Sequence, residues 1–207
     1  TRTGWDTLDL WVFEIFDGSI RDGHQWQLFW AYANHRKADV LAMVCFGLVF
    51  LCFVVFGSRS TPIHRLMMAG FAAVATTCFV IACKQLFGGS GRLSPSLVVE
   101  GAVQLTNVVQ DVRFKDVSRS SFPGDHGVAV IFLATLTWAY VGYKAGLLAV
   151  VLSIAFALPR VVVGAHWATD VLVGSFVFSI PILAVLLATP LQARIVDTDT
   201  GWVELAV

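Results

Sequence analysis

Apolar and polar positions alternate along the chain in long blocks. Five apolar segments stand out, over residues 39–57, 63–87, 127–141, 145–163 and 167–189. Each is near the ~20 residues that a helix needs to cross a bilayer. Two connections, 58–62 and 142–144, are very short, and tight links of this kind make antiparallel neighbours. The third segment is short unless it begins inside Pro123–His126. Pro123 then stands at a helix start, where proline is tolerated, and His126 falls in the first turn.

Ahead of the spans the pattern is different. Over residues 6–17, Asp6, Asp9, Glu14 and Asp17 fall near one helical face, and Leu8, Trp11, Val12, Ile15 and Phe16 fill much of the rest. Such a helix is too short to span and is expected to lie in the membrane interface. Trp26, Trp30 and Tyr32 form an aromatic group of the kind found at membrane surfaces. An anchor and a lip that guides a lipid substrate both fit this region.

Composition agrees with an integral membrane protein of one domain, residues 1–207. Hydrophobic residues make up 57% and charged residues 14%, against roughly 25% charged in a soluble domain; mean hydropathy is +0.76. The expected class is therefore all-α, a bundle of five spanning helices. Formal net charge is zero, which gives no reason to expect nucleic acid as a partner. Cys45, Cys52, Cys78 and Cys83 all lie in apolar runs and read as buried free thiols. The chain opens at Thr1 without a secretory-type leader.

Residues 88–122 form a long polar stretch between the second and third spans. It holds Gly88, Gly89 and Gly91, then Arg92, Arg113, Lys115 and Arg119. Loops of this length are usually functional or disordered. Counting spans puts this loop opposite the two tight turns and on the same side as Gly164-Ala165. Arg92, His126, Arg160 and His166 can then meet at one membrane face. Arg59, Arg65, Lys144 and Arg194 fall on the tight-turn side, and the other ten of the chain's 14 lysines and arginines on the loop side. The positive-inside rule would put the loop side in the cytoplasm.

Polar groups at membrane depth are costly and read as a functional site by default. His166 and Asp170 are four apart and would share a helix face, a carboxylate beside an imidazole. Arg160 offers a planar fork of donors suited to phosphate oxygens. His126, from another helix, can protonate a leaving oxygen. The amides near Gly124 open a helix, a natural anion site. Arginines beside only two histidines disfavour a metal. A phosphoryl-transfer site fits this set better than a structural polar cluster does.

These residues resemble a known family. Arg160, five residues, His166, three residues and Asp170 match the third motif of the type 2 phosphatidic acid phosphatase superfamily, S-R-x5-H-x3-D. Pro123-Gly124-Asp125-His126 resembles its second, P-S-G-H. Arg92 and Pro95 resemble its first, K-x6-R-P, in altered form: Gln85 stands at the usual lysine position with Lys84 one place earlier, and Leu93-Ser94 separate Arg92 from Pro95. Pro159 replaces the serine of the third motif, and Gly124-Asp125 replaces Ser-Gly. With these departures the chain, from about 63 to 189, is similar to the lipid A 1-diphosphate synthase branch of that superfamily. There Arg92-Leu93-Ser94-Pro95, Ser121–Gly127, Pro159-Arg160-Val161 and Gly164–Trp167 recur nearly residue for residue.

The resemblance implies phosphoryl transfer from undecaprenyl pyrophosphate to the 1-phosphate of lipid A, at the periplasmic face of a bacterial inner membrane. This is opposite to the side given by charge counting. The 88–122 stretch would be a periplasmic active-site loop. His166 would become a phosphohistidine, Asp170 would orient it, and His126 would protonate departing undecaprenyl phosphate. Arg92 and Arg160 would hold the phosphoryl group, assisted by the amides at Gly124, with Lys84, Lys115 and Arg119 as further phosphate ligands. Solvated loop charge accounts for Lys115 and Arg119 equally well. No cofactor or metal is called for, because arginines and amides supply the positive field. The family usually has one more spanning helix at the N-terminus, which this chain would lack. A lipid or polyprenyl pyrophosphate phosphatase, and a carrier that binds head groups without chemistry, are the alternatives.

Overall fold

The computed structural model describes residues 4–21, 23–57, 60–87 and 91–188. Arg59, Gly88, Gly89, Thr189 and Arg194 lie outside them. The described chain is all helix and loop: α1 (Gly4–Arg21), α2 (His24–Ala33), α3 (Arg36–Phe56), α4 (Pro62–Phe87), two single-turn helices α5 (Pro95–Val98) and α6 (Leu105–Val108), α7 (Asp125–Val141), α8 (Tyr143–Val162) and α9 (Ser175–Ala188), the last entered through a π-helical turn, Asp170–Gly174. One isolated antiparallel bridge joins His35 to Phe114.

Among the described residues, four helical stretches are long and apolar enough to cross a membrane: α3, α4, α8 and Asp170–Ala188. The fifth, α7, is shorter at 17 residues and spans only about 25 Å. It sits at the centre, packed on α3, α4, α8 and α9. Val128, Phe132 and Leu136 are fully buried there, and Phe132 meets the Phe79 ring at 4.6 Å. The outer faces of the bundle remain apolar, with Val40, Met43, Leu51, Leu66, Leu147, Ile154, Phe176 and Ile180 exposed. A water-facing surface of this kind would be costly, so these faces meet lipid. Two of the four cysteines, expected to be buried, stand on them: Cys52 and Cys78 are exposed, Cys83 is buried, and all four are free thiols.

The antiparallel pairs α3–α4 and α7–α8 follow from the tight turns. At the first, Arg65 is buried and its Nε donates to the Val54 carbonyl at 3.0 Å. It thereby satisfies a carbonyl at the end of α3, where a cation also meets the negative end of the helix dipole. A Cβ on Gly57 would lie 2.6 Å from the Arg65 side chain, so glycine makes room for this cap.

The long polar stretch is a packed cap. Leu105, Val109 and Val112 form a small core with Ile20 of α1, Ala31 of α2 and Val162, Val163 and Ala165 at the end of α8. Buried polar groups tie the strands of the cap together. Ser121 N donates to Arg92 O at 2.7 Å and Ser94 N to Ser118 O at 2.9 Å. The buried Asp116 carboxylate accepts from Thr106 N at 2.8 Å.

α1 is longer than the expected 6–17 helix, and two of its acids are turned into the protein. Asp9 and Asp17 are buried, while Trp5, Leu8, Trp11 and Ile15 are exposed. Asp17 accepts from Val103 N at 2.8 Å and pairs with Arg21 at 2.6 Å. Asp17 thus binds the cap, while Trp5, Leu8, Trp11 and Ile15 look outward. In α2, Trp26, Phe29 and Trp30 form one ring cluster with centroids 5.0–5.3 Å apart, and Tyr32 is exposed beside it.

Candidate active site

His166 stands between α8 and the last helix, in a turn that the backbone holds tightly. α8 ends at Val162, and Gly164 turns the chain with φ +73°, a conformation that favours glycine. A Cβ there would also come within 2.9 Å of the Phe13 ring. The amides of Ala165 and His166 both return to Arg160 O, at 3.0 and 3.2 Å. His166 therefore precedes the last helix and does not share a helical face with Asp170. Asp170 lies in the π turn, where its Oδ2 accepts from Trp167 N at 3.2 Å and so secures the helix entry.

The imidazole is oriented by a backbone carbonyl: His166 Nδ1 lies 2.7 Å from Ser121 O. A carbonyl oxygen can only accept, so Nδ1 carries the hydrogen and, in the neutral ring, Nε2 keeps its lone pair. The ring is buried and lines a cavity of about 300 Å³. Lys84 from the last turn of α4 and Lys115 and Arg119 from the cap line the same cavity. Lys115 and Arg119, for which solvated loop charge and phosphate binding were both open, border the histidine's cavity.

The two arginines are engaged differently. Arg92 pairs with Asp170 Oδ1, and its Nη2 with Asp9 Oδ2 at 2.7 Å. Its guanidinium lies 5.4 Å over the Trp167 ring. Burial by itself would lower the Arg92 pKa, but the carboxylates of Asp170 and Asp9 outweigh it and raise it above the ordinary arginine value. Asp9 also accepts from the amide and hydroxyl of Thr169, at 2.9 and 2.5 Å. The α1 acid therefore belongs to the site, which the sequence did not reveal.

On the other side, Arg160 is buried and its Nη2 meets Asp39 Oδ1 at 2.7 Å. His126 Nε2 lies 3.2 Å from the same oxygen and 3.3 Å from Arg160 Nη2. Asp39 was placed only as the start of a span. Its signal was available: a carboxylate in the first turn of an apolar helix carries the same cost as a histidine there. Asp39 and His126 also border an apolar groove between α3, α4 and α7 of about 540 Å³, floored by Phe46, Phe50 and Leu133.

Gly124 caps α7, but its N–H donates to Asp170 O at 3.3 Å. That amide is spent on joining α7 to the last helix. A Cβ on Gly124 would stand 3.3 Å from Val171, and one on Gly127 would stand 2.7 Å from Ser175 Oγ. Both glycines let the two motif-bearing elements approach closely. The Phe122–Pro123 peptide just before them is cis.

The site thus gathers two histidines, two arginines and further cations at one end of a membrane bundle. Comparison with known proteins points the same way. The chain is 30% identical, over 192 residues, to Lipid A 1-diphosphate synthase of Escherichia coli (strain K12), covering 93% of this chain and 80% of that protein. No solved structure matches it. The family model described as the PAP2 superfamily matches residues 65–194, from the start of α4 past the end of α9. With α4, the cap, both histidine motifs and the last span inside that match, the chain belongs to the PAP2 superfamily and is a membrane enzyme of the phosphatase and phosphotransferase class.

Proposed function

We propose that this enzyme moves a phosphoryl group from undecaprenyl pyrophosphate to the 1-phosphate of lipid A through a phosphohistidine at His166. The observation that carries the reading is the His166 cavity: an imidazole whose Nδ1–H is held by Ser121 O, bordered by Lys84, Lys115 and Arg119. A nucleophile with its lone pair directed by a fixed hydrogen bond, next to several cations, suits a phosphate-rich donor. The similarity to a lipid A 1-diphosphate synthase supports the choice of acceptor.

In the first step His166 Nε2 attacks the terminal phosphorus, and the bond from that phosphorus to the bridging oxygen breaks. His126 gives a proton to undecaprenyl phosphate as it leaves. In the second, an oxygen of the lipid A 1-phosphate attacks the phosphohistidine, the P–N bond breaks and His166 is restored. His126 recovers its proton from the acceptor. Arg92 and Arg160 hold the phosphoryl oxygens, which must compete with Asp9, Asp170 and Asp39 for them. Lys84, Lys115 and Arg119 hold the remaining phosphate charge. Water in place of the acceptor would release inorganic phosphate, so the positioning of the acceptor decides the outcome.

In this reading α1 lies in the interface with Trp5, Trp11 and Ile15 in lipid. The 88–122 cap faces the periplasm of a bacterial inner membrane. The deciding experiment supplies the purified protein with terminally labelled undecaprenyl pyrophosphate, with and without lipid A. Label on lipid A is the expected result. Inorganic phosphate released at the same rate in both tubes would make it a phosphatase. Bound lipid without turnover would leave a carrier. A cytoplasm-active reporter fused after Val207 should be active; inactivity would reverse the orientation.

A further inference from the structure

Asp39 is the one charged group of α3 that meets both a histidine and an arginine of the site. A single oxygen, Oδ1, takes Arg160 Nη2 at 2.7 Å and His126 Nε2 at 3.2 Å. Arg160 is buried, and His126 and Asp39 are each about one-third exposed, 38% and 34% by side chain. The pair joins the N-terminal turn of α3 to that of α7, two helices that also pack Phe46 with Val130 and Ala134 in one apolar cluster. A carboxylate in contact with an imidazole holds one ring N–H and favours the charged ring. The arginine beside it keeps the carboxylate ionised and limits how far it can move.

We propose that Asp39 is the positioning residue for the proton donor: it holds His126 by Nε2, so that the proton released during phosphoryl transfer is the one on Nδ1. The proposal rests on His126 acting as the acid in the function proposed above. The imidazolium gives its Nδ1 proton to the bridging oxygen as the P–O bond breaks and becomes a neutral imidazole that still donates Nε2–H to Asp39. It regains a proton on Nδ1 when the acceptor phosphate enters. Asp39 itself stays ionised throughout and touches no reacting atom. Arg160, shared between Asp39 and the phosphoryl group, then ties the alignment of the acid to occupation of the phosphate position.

The test is a double-mutant cycle on the purified full chain, with kcat and KM measured separately. Asp39→Asn is expected to lower kcat by about 30-fold, a part of the roughly 10²–10⁴-fold that a positioned general acid contributes, with KM changed by less than about threefold. In the His126→Ala background the same substitution should cost almost nothing further, because the residue it positions is gone. Asp39→Glu should recover part of the loss. Equal effects of Asp39→Asn in both backgrounds would overturn the proposal and leave a structural ion pair. So would a rise in activity with a lowered KM, which would make Asp39 a plug in the phosphate position. If wild-type protein releases inorganic phosphate and labels no lipid A, the transferase reading fails while the cycle is still read on hydrolysis. No turnover of either kind overturns both.

Discussion

The cavity around His166 and the two arginines beside it solve opposite problems. Around His166, Lys84, Lys115 and Arg119 border one small space with an imidazole whose orientation a backbone carbonyl sets. Arg92 and Arg160 are instead engaged by carboxylates: Arg92 by Asp9 and Asp170, Arg160 by Asp39. The difference teaches what each region asks of its charges. Asp9 and Asp170 beside Arg92, and Arg160 itself, are buried, and an unpaired charge away from water costs on the order of several kcal/mol. Cations at the rim of a cavity keep their hydration and can wait for a polyanion. Arg92 ties α1 and the last helix to the cap, and Arg160 ties α3 to α8; in the proposed reaction both would exchange carboxylate for phosphate oxygen as a lipid phosphate enters.

Six substitutions would break or sharpen this contrast. The largest effect is expected for His166→Ala, which should remove transfer and hydrolysis together by about 10⁴-fold or more; full turnover in that variant would end its assignment as nucleophile. Next comes Arg92→Ala, which leaves the fully buried Asp170 and Asp9 without their cation. About 3 kcal/mol of stability should go, discounted for the partial exposure of Arg92, along with most activity. A thermal midpoint in detergent equal to that of wild type would show that the pair holds nothing together. Arg92→Lys should recover little, since one ammonium cannot span two carboxylates on different helices.

A smaller loss of about 1–2 kcal/mol is expected for Asp9→Asn, whose amide still meets Thr169 but no longer neutralises Arg92. Faster proteolysis within α1, compared with wild type, would show α1 loosening from the cap; an unchanged digestion pattern would count against that tie. Least disruptive to the fold should be Lys115→Gln and Arg119→Gln. Each is expected to raise KM for the pyrophosphate donor about tenfold, with the melting temperature unmoved and the effect shrinking in high salt. A fall in stability with KM unchanged would move these residues from the cavity to the architecture.

Much of this was legible from residue order. The apolar blocks placed the spans within a few residues of the helices seen, and the short link at Gly142 placed α7 against α8. Glycine and proline near the motifs marked where helices start and turn, since Gly164 and the Pro123 junction both stand at element ends. Periodicity was less dependable near the site itself. The spacing of His166 and Asp170 suggested one helical face, but Gly164 and the π turn place the histidine before the helix. In α1 the same periodicity grouped Asp9 and Asp17, which are buried, with Glu14, which is exposed, and left the direction of the face open.

What the sequence determined by itself is the membrane class, the positions of the spans and the set of residue types fit for phosphoryl chemistry. These rest on local physics: hydrophobic length against bilayer thickness, and the cost of charge at depth. What only the tertiary structure decided is which acid meets which base. Arg92 and Asp9 are 83 residues apart, Arg160 and Asp39 are 121, and Thr169 and Asp9 are 160. Residue spacing carries no information over such separations. The pairing is set by which helix ends the packing of α7 on α3, α4, α8 and the last helix brings together, and by the requirement that every buried charge there find an opposite one.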